Sequence, residues 1–112
     1  MEKIEKIEQF DEILKGESNF YFLKHSLTCP ISQAAFDEYK KFAEDDININ
    51  LYYLAVQDAR PLSNEMAERF NIKHESPQAF LFINGQPAWN ASHRKITVES
   101  LKAALVENVK QA

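Results

Sequence analysis

Three short, dense apolar runs constrain this chain more than any other feature: residues 19–24 (NFYFLK), 50–56 (NLYYLAV) and 78–83 (QAFLFI). Each is too short for a helix, and each is apolar at consecutive positions, the mark of a strand covered on both faces. The segments between them carry a helical period instead. Over residues 29–44, Ile31, Ala35, Tyr39, Phe42 and Ala43 recur along one face, and Pro30 suits the first turn, where its missing N–H has no intrahelical partner. Ser63 is the expected cap of a second helix carrying Met66, Ala67 and Phe70 and closed by Asn71. Asn84-Gly85 predicts a two-residue hairpin turn into a strand over residues 86–92. Thr97 should cap a last helix with Leu101, Ala104, Leu105 and Val109 on one stripe, Glu99 near its start and Lys110 near its end. Ahead of the first dense run, residues 3–7 predict a short strand and residues 9–15 a weak helix ended by Gly16. The order βαβαβαββα is that of an α/β sandwich, a central mixed sheet flanked by helices.

One such sheet needs all 112 residues, so a single domain over 1–112 is expected. Apolar residues at 45%, with eight Phe and four Tyr, are enough for a compact core and exclude a disordered chain. A net charge of −4 without a Lys/Arg run speaks against nucleic acid, which requires a basic footprint to release counterions from phosphates. No apolar stretch approaches the ~20 residues that cross a bilayer, and the acidic, amphipathic start is not a secretory signal, so no membrane association is expected. A lone cysteine makes no internal disulfide and is at ease in a reducing compartment, which predicts a cytoplasmic location.

That cysteine, Cys29, falls between the first dense strand and the helix that Pro30 opens. Unpaired N–H groups and the positive end of the helix dipole favour an anion at such a place, so the thiolate gains over the thiol. Ser32, three residues on, can offer its backbone N–H and its hydroxyl to the sulfur, but it cannot form a disulfide. The alternative is a small buried hydrophobe, the usual fate of a free cysteine. A second marker favours the reactive reading: Ser76-Pro77 stands immediately before the third dense strand, on a loop that should lie beside the Cys29 helix. Pairing His25 with Cys29 as a hydrolase lacks an orienting third group and an oxyanion site, and the three His and one Cys share no metal-ligand spacing, so no metal is expected.

The element order resembles the thioredoxin arrangement. In that fold the proline at the place of Pro77 is cis, and the residue before it offers backbone groups to an extended substrate segment. More narrowly, KHSLTCPISQAAF, followed by SPQAFLF, NGQPAW and ASHRKIT, is similar to the monothiol bacilliredoxins over nearly the whole chain, most specifically in the Thr28-Cys29-Pro30-Ile31-Ser32 box. The resemblance implies a thiol-disulfide oxidoreductase of redox homeostasis and stress response that removes bacillithiol from mixed disulfides on oxidised proteins. It implies Cys29 as nucleophile, Pro30 and Ser32 as thiolate-stabilising, and Thr28, Ser76 and Pro77 as substrate-binding. Ser32 stands where dithiol relatives have their resolving cysteine, and Leu23 where thioredoxins have a buried Asp, so dithiol chemistry is doubly disfavoured. Bacillithiol is a cysteinyl-glucosaminyl malate, so its two carboxylates call for cations or amide donors. Candidates are Lys24, His25, Arg60, His93 and Arg94. The implied partners are bacillithiolated proteins and a low-molecular-weight thiol with its reductase. Two other readings remain open at this stage: a non-enzymatic peptide-binding module with a redox-sensitive Cys29, and the same chemistry with glutathione or coenzyme A.

Overall fold

The computed structural model describes residues 1–45 and 47–109. Strands β1 (Glu2–Lys3), β2 (Asn19–His25), β3 (Asn50–Ala55), β4 (Gln78–Ile83) and β5 (Gln86–Ser92) form one sheet in the order β1-β3-β2-β4-β5. Helices α1 (Ile7–Gly16), α2 (Pro30–Glu44), α3 (Arg60–Phe70) and α4 (Val98–Asn108) cover its faces, and a 3-10 turn, His93–Lys95, joins β5 to α4. The α/β class and the mixed sheet agree with the sequence expectation.

Strand alternation sorts the side chains into two cores. Phe20 and Phe22 of β2 point to one face with Tyr52, Leu54, Phe80 and Phe82, where α1 and α3 supply Phe10, Leu62 and Met66. Tyr21 and Leu23 point to the other, with Leu51, Ala79 and Leu81 against Ala35, Tyr39 and Phe42 of α2 and Leu101 and Ala104 of α4. Because β2 is central and both its faces are covered, Tyr21 to His25 are all buried. The first core is aromatic: the cross-strand pair Phe20 and Phe82 stacks at 4.9 Å between centroids, and Phe10 meets Phe20, Phe22, Phe70 and Phe82 edge-on. In the second, Tyr21 and Tyr39 each donate a hydroxyl to a backbone carbonyl, of Leu101 at 2.5 Å and of Tyr52 at 2.7 Å, so neither buries an unpaired oxygen.

Local chemistry sets several boundaries as expected. Asn71 ends α3 in the left-handed region at φ 54°, and Asn84 and Gly85 turn the hairpin with φ 51° and 79°. Thr97 caps α4 by accepting the Ser100 N–H, with the Ser100 hydroxyl returning the contact. Lys110 lies outside the described residues.

Three expectations need correction. The first strand is only Glu2–Lys3 rather than residues 3–7, and α1 begins at Ile7 rather than residue 9, because the Gln9 side chain folds back to accept the Glu5 and Lys6 N–H groups and starts the helix early. Ser63 does not cap α3: the helix starts at Arg60 behind Ala59, with Pro61 in its first turn, and Ser63 lies inside it, buried. Pro30 opens α2 as the sequence predicts, and Cys29 is its N-cap, with extended φ −104° and ψ 122°.

Replacing Phe10, which is fully buried and touches four other aromatic rings, should cost about 3–5 kcal/mol as Phe10→Ala, a large share of the ~5–15 kcal/mol of an ordinary domain. Urea unfolding would show this as a large drop in midpoint, with Phe10→Leu losing much less.

Candidate active site

The chain leaves β2 at His25, crosses residues 26–28 and enters α2 at Pro30, so Cys29 hangs at the C-terminal end of the central strand. Pro30 at the first helical position has no N–H, which leaves the Ile31 and Ser32 amides as the donors that an N-cap atom can reach. The first turn of α2 holds no acidic residue to oppose a thiolate. Cys29 is partly exposed, while Thr28 and Pro30 on either side are exposed, so a sulfur arriving from solvent can reach it.

Ser32 is fully buried, and its hydroxyl is engaged away from the thiol. It accepts the Ser26 N–H at 2.7 Å and shares a hydrogen with His25 Nδ1 across 3.1 Å. Gln57, just past β3, completes the clamp, with its Oε1 accepting the Leu27 N–H at 3.1 Å and its Nε2 donating to the Ser26 hydroxyl at 3.0 Å. Ser26 and Leu27 are thus held by one side chain from α2 and one from the turn after β3. His25 is buried, stacks on Phe36 at 4.5 Å, and burial lowers its proton affinity below the ordinary imidazole value. It is a buried partner of Ser32 rather than a solvent-facing cation, which corrects its expected role as an anion contact.

Lys24 requires the same correction. Strand alternation turns it to the face opposite His25, where it is fully buried beneath α3. Its Nζ donates to the Ser63 carbonyl at 2.9 Å and to His74 Nδ1 at 3.3 Å, above the ring of Phe80. Desolvation lowers its pKa to about 8. No ligand reaches an ammonium so enclosed.

The antiparallel β2–β4 register pairs Lys24 with Gln78, which brings the start of β4 to the end of β2. The Ser76–Pro77 peptide is cis and Pro77 is buried. The loop before it is tied by Gln78, whose Oε1 accepts the Glu75 N–H at 3.3 Å and whose Nε2 donates to the Lys73 carbonyl at 3.0 Å, and by the Lys24–His74 contact. Ser76 Oγ is buried with no hydrogen-bond partner among the described residues. On the far side, the Pro77 carbonyl accepts the His93 N–H at 3.0 Å, which joins the 3-10 turn to the loop. His93 adopts φ 57°, and His93 and Arg94 are both exposed. Arg60 is exposed at the start of α3, near His74, whose proton affinity is lowered first by burial and then by the charges of Lys24 and Arg60.

Sequence reasoning thus missed Gln57, His74 and Gln78. Their only sequence signal is a polar residue bordering a buried strand, which does not say what backbone it will hold. Among the described residues, no group of three His, Cys, Asp or Glu is placed to hold a metal, and no helix is long and apolar enough to cross a membrane.

Residues 2–101 match the family of the monothiol bacilliredoxin BrxC. The chain belongs to that family. A solved thioredoxin-fold protein described as a candidate oxidoreductase is 47% identical, with a TM-score of 0.85 over 91% of this chain and 90% of that one. Two thioredoxins share the fold alone. That of Malassezia sympodialis is 16% identical with a TM-score of 0.75 over 96% of this chain and 89% of its own. That of Schistosoma mansoni is 11% identical with a TM-score of 0.77 over 96% and 97%. This bacilliredoxin-family chain is a thiol-disulfide oxidoreductase with a thioredoxin fold.

Its buried imidazoles make stability depend on pH. Burial lowers the proton affinity of His25 and His74 in the fold, so the unfolded chain binds protons first as the medium is acidified. Their contribution is complete above the ordinary value of 6.5 and is lost as pH falls toward and through the lowered folded values. The slope is at most about 1.4 kcal/mol per pH unit for each imidazole, and less for the partly exposed His74. Urea midpoints measured from about pH 8 to about pH 5 should fall in the wild type and fall less steeply in His74→Gln.

Proposed function

We propose that the protein removes bacillithiol from protein mixed disulfides through Cys29. The Cys29 thiolate attacks the bacillithiol sulfur of a protein–S–S–bacillithiol bond. That bond breaks, a Cys29–S–S–bacillithiol bond forms, and the protein thiol leaves as a thiolate that takes a proton from water. A second bacillithiol thiolate then attacks the captured bacillithiol sulfur, regenerating Cys29 and yielding bacillithiol disulfide, which a separate reductase returns to thiol. Cys29 is the chain's one cysteine, so no internal sulfur can complete the cycle.

The observation that carries this reading is the placement of that sole thiol at the α2 N-cap, accessible from solvent, in a chain of the monothiol bacilliredoxin family. Ser32, at the place of a resolving cysteine, holds the Ser26 amide with its hydroxyl, so its support for the thiolate is left to its backbone N–H. In this reading Thr28, next to Cys29 in the chain, and Ser76 and Pro77, on the loop before β4, form the groove for the oxidised protein segment. Such a cycle needs a reducing compartment with a pool of free thiol, and we place it in the cytoplasm.

Intact-mass measurement on reduced protein mixed with a bacillithiolated substrate should show one bacillithiol per chain on Cys29, with further turnover only after free bacillithiol and a reductase are added. Cys29→Ser should capture none. Ser32→Ala should retain the first step. Turnover without added thiol, or capture by Cys29→Ser, would overturn the mechanism. Faster clearance of glutathione or coenzyme A mixed disulfides would keep the chemistry and replace the substrate.

A further inference from the structure

Of the five basic residues that the sequence offers, the structure sets one, Arg94, on a groove that the start of α2 also lines. Lys24 and His25 are buried, and Arg60 stands on α3 beside His74. The 3-10 turn His93–Lys95 divides its three side chains between two depressions: His93 and Lys95 border one with Trp89, Ser92 and Glu75, whereas Arg94 borders a groove with Pro30, Ile31 and Ala34 at the start of α2. That groove measures about 420 Å³, and its floor is apolar, made by Ile31, Ala34, Ala35 and Ile96. Its one carboxylate, Glu38, is already engaged, accepting the Val98 N–H at 3.0 Å and standing 3.5 Å from Lys41 Nζ. Arg94 takes part in no ion pair among the described residues. In a chain of net charge −4, an exposed arginine without an ion pair among the described residues, on an apolar groove that begins at Pro30, the residue after the reactive Cys29, is complementary to an anionic ligand with a carbon-rich body.

We infer that Arg94 is the specificity-determining residue of this site, and that it reads a carboxylate at the distal end of the low-molecular-weight thiol carried by the mixed disulfide. The substrate class is a thiol whose sulfur and carboxylate are separated by a ring or chain that can lie along the Ile31–Ala34 floor. The planar guanidinium pairs with a carboxylate through two parallel N–H···O bonds, a geometry that lysine does not reproduce. The position of Arg94 is set by its neighbours: the His93 N–H bond to the Pro77 carbonyl fixes the turn on one side, and Ile96, buried against the second core, fixes it on the other. This inference rests on the proposed transfer to Cys29 and adds what selects the group transferred.

The test compares two mixed disulfides of one reporter protein, one carrying bacillithiol and one carrying 2-mercaptoethanol, which is neutral and has no carboxylate. Transfer to Cys29 is timed by intact mass for the wild type, Arg94→Ala, Arg94→Lys and Arg94→Glu. Arg94→Ala should slow bacillithiol transfer about tenfold and Arg94→Glu further, with 2-mercaptoethanol transfer unchanged within about twofold and Arg94→Lys recovering only part of the loss. The wild-type preference for bacillithiol should shrink as salt is raised. Equal slowing of both substrates by Arg94→Ala, or slowing of neither, would overturn the assignment of Arg94 while leaving transfer to Cys29 intact. Failure of the wild type to take up either group would instead overturn the transfer itself, and the assignment with it.

Discussion

The antiparallel pairing of β2 with β4 is the constraint on which the rest of the site depends. β2 runs parallel to β3 and antiparallel to β4, so the end of β2 and the beginning of β4 meet at one edge of the sheet, with Lys24 opposite Gln78. Everything chemical lies just beyond that pair. Cys29 follows β2 by four residues, Pro77 precedes β4 by one, and the return of β5 alongside β4 brings Ser92 opposite Gln78, so the 3-10 turn with Arg94 joins them. A slip of one residue in this ladder would turn Phe20 and Phe22 out of the aromatic core, so the packing that stabilises the domain also fixes where the thiol stands relative to the proline loop.

Holding that edge requires buried polar groups. Beyond the last ladder bonds the backbone must turn away, and its N–H and C=O groups need other partners. Gln78 supplies both kinds from one amide, Ser32 and Gln57 accept the Ser26 and Leu27 N–H groups, and Lys24 ties α3 to the loop at His74. Lys24 is the costly member, a cation with no carboxylate beside it, and the strain appears as a lowered pKa rather than as an ion pair. Its neutral partners, a carbonyl and an imidazole whose own protonation is suppressed, let it donate without a buried counter-charge.

What could be read from the sequence was what short stretches decide by themselves. The three apolar runs specified the central strands, Asn84-Gly85 and Asn71 specified left-handed turns, and Thr97 specified a helix start, each through the chemistry of one or two residues. Ser63 failed as a cap because Pro61, two residues earlier, is the stronger start signal, and the serine is then carried into the helix and buried against His74. The basic residues of the KHSLTC segment failed as ligand contacts for a tertiary reason. A strand covered on both faces buries every position, so Lys24 and His25 went to opposite cores regardless of charge. Arg94, four residues past Asn90 on a turn with no periodicity, had nothing in its local sequence to separate it from Arg60, and only the packing of β5 against β4 does so.

The replacement of a second sulfur by Ser32 changes more than the redox stoichiometry. A resolving cysteine must keep its sulfur free to attack the neighbouring disulfide, so that sulfur cannot also be committed to holding the segment beside it. Ser32, released from that task, is fully buried and gives its hydroxyl to the Ser26 amide and the His25 ring, and with Gln57 it makes the approach to Cys29 rigid. A fixed approach suits the proposed cycle, whose second step comes from solution. The captured group must stay where an external thiol can reach its sulfur, and a fixed, partly exposed Cys29 between exposed Thr28 and Pro30 presents it there without any rearrangement of the chain.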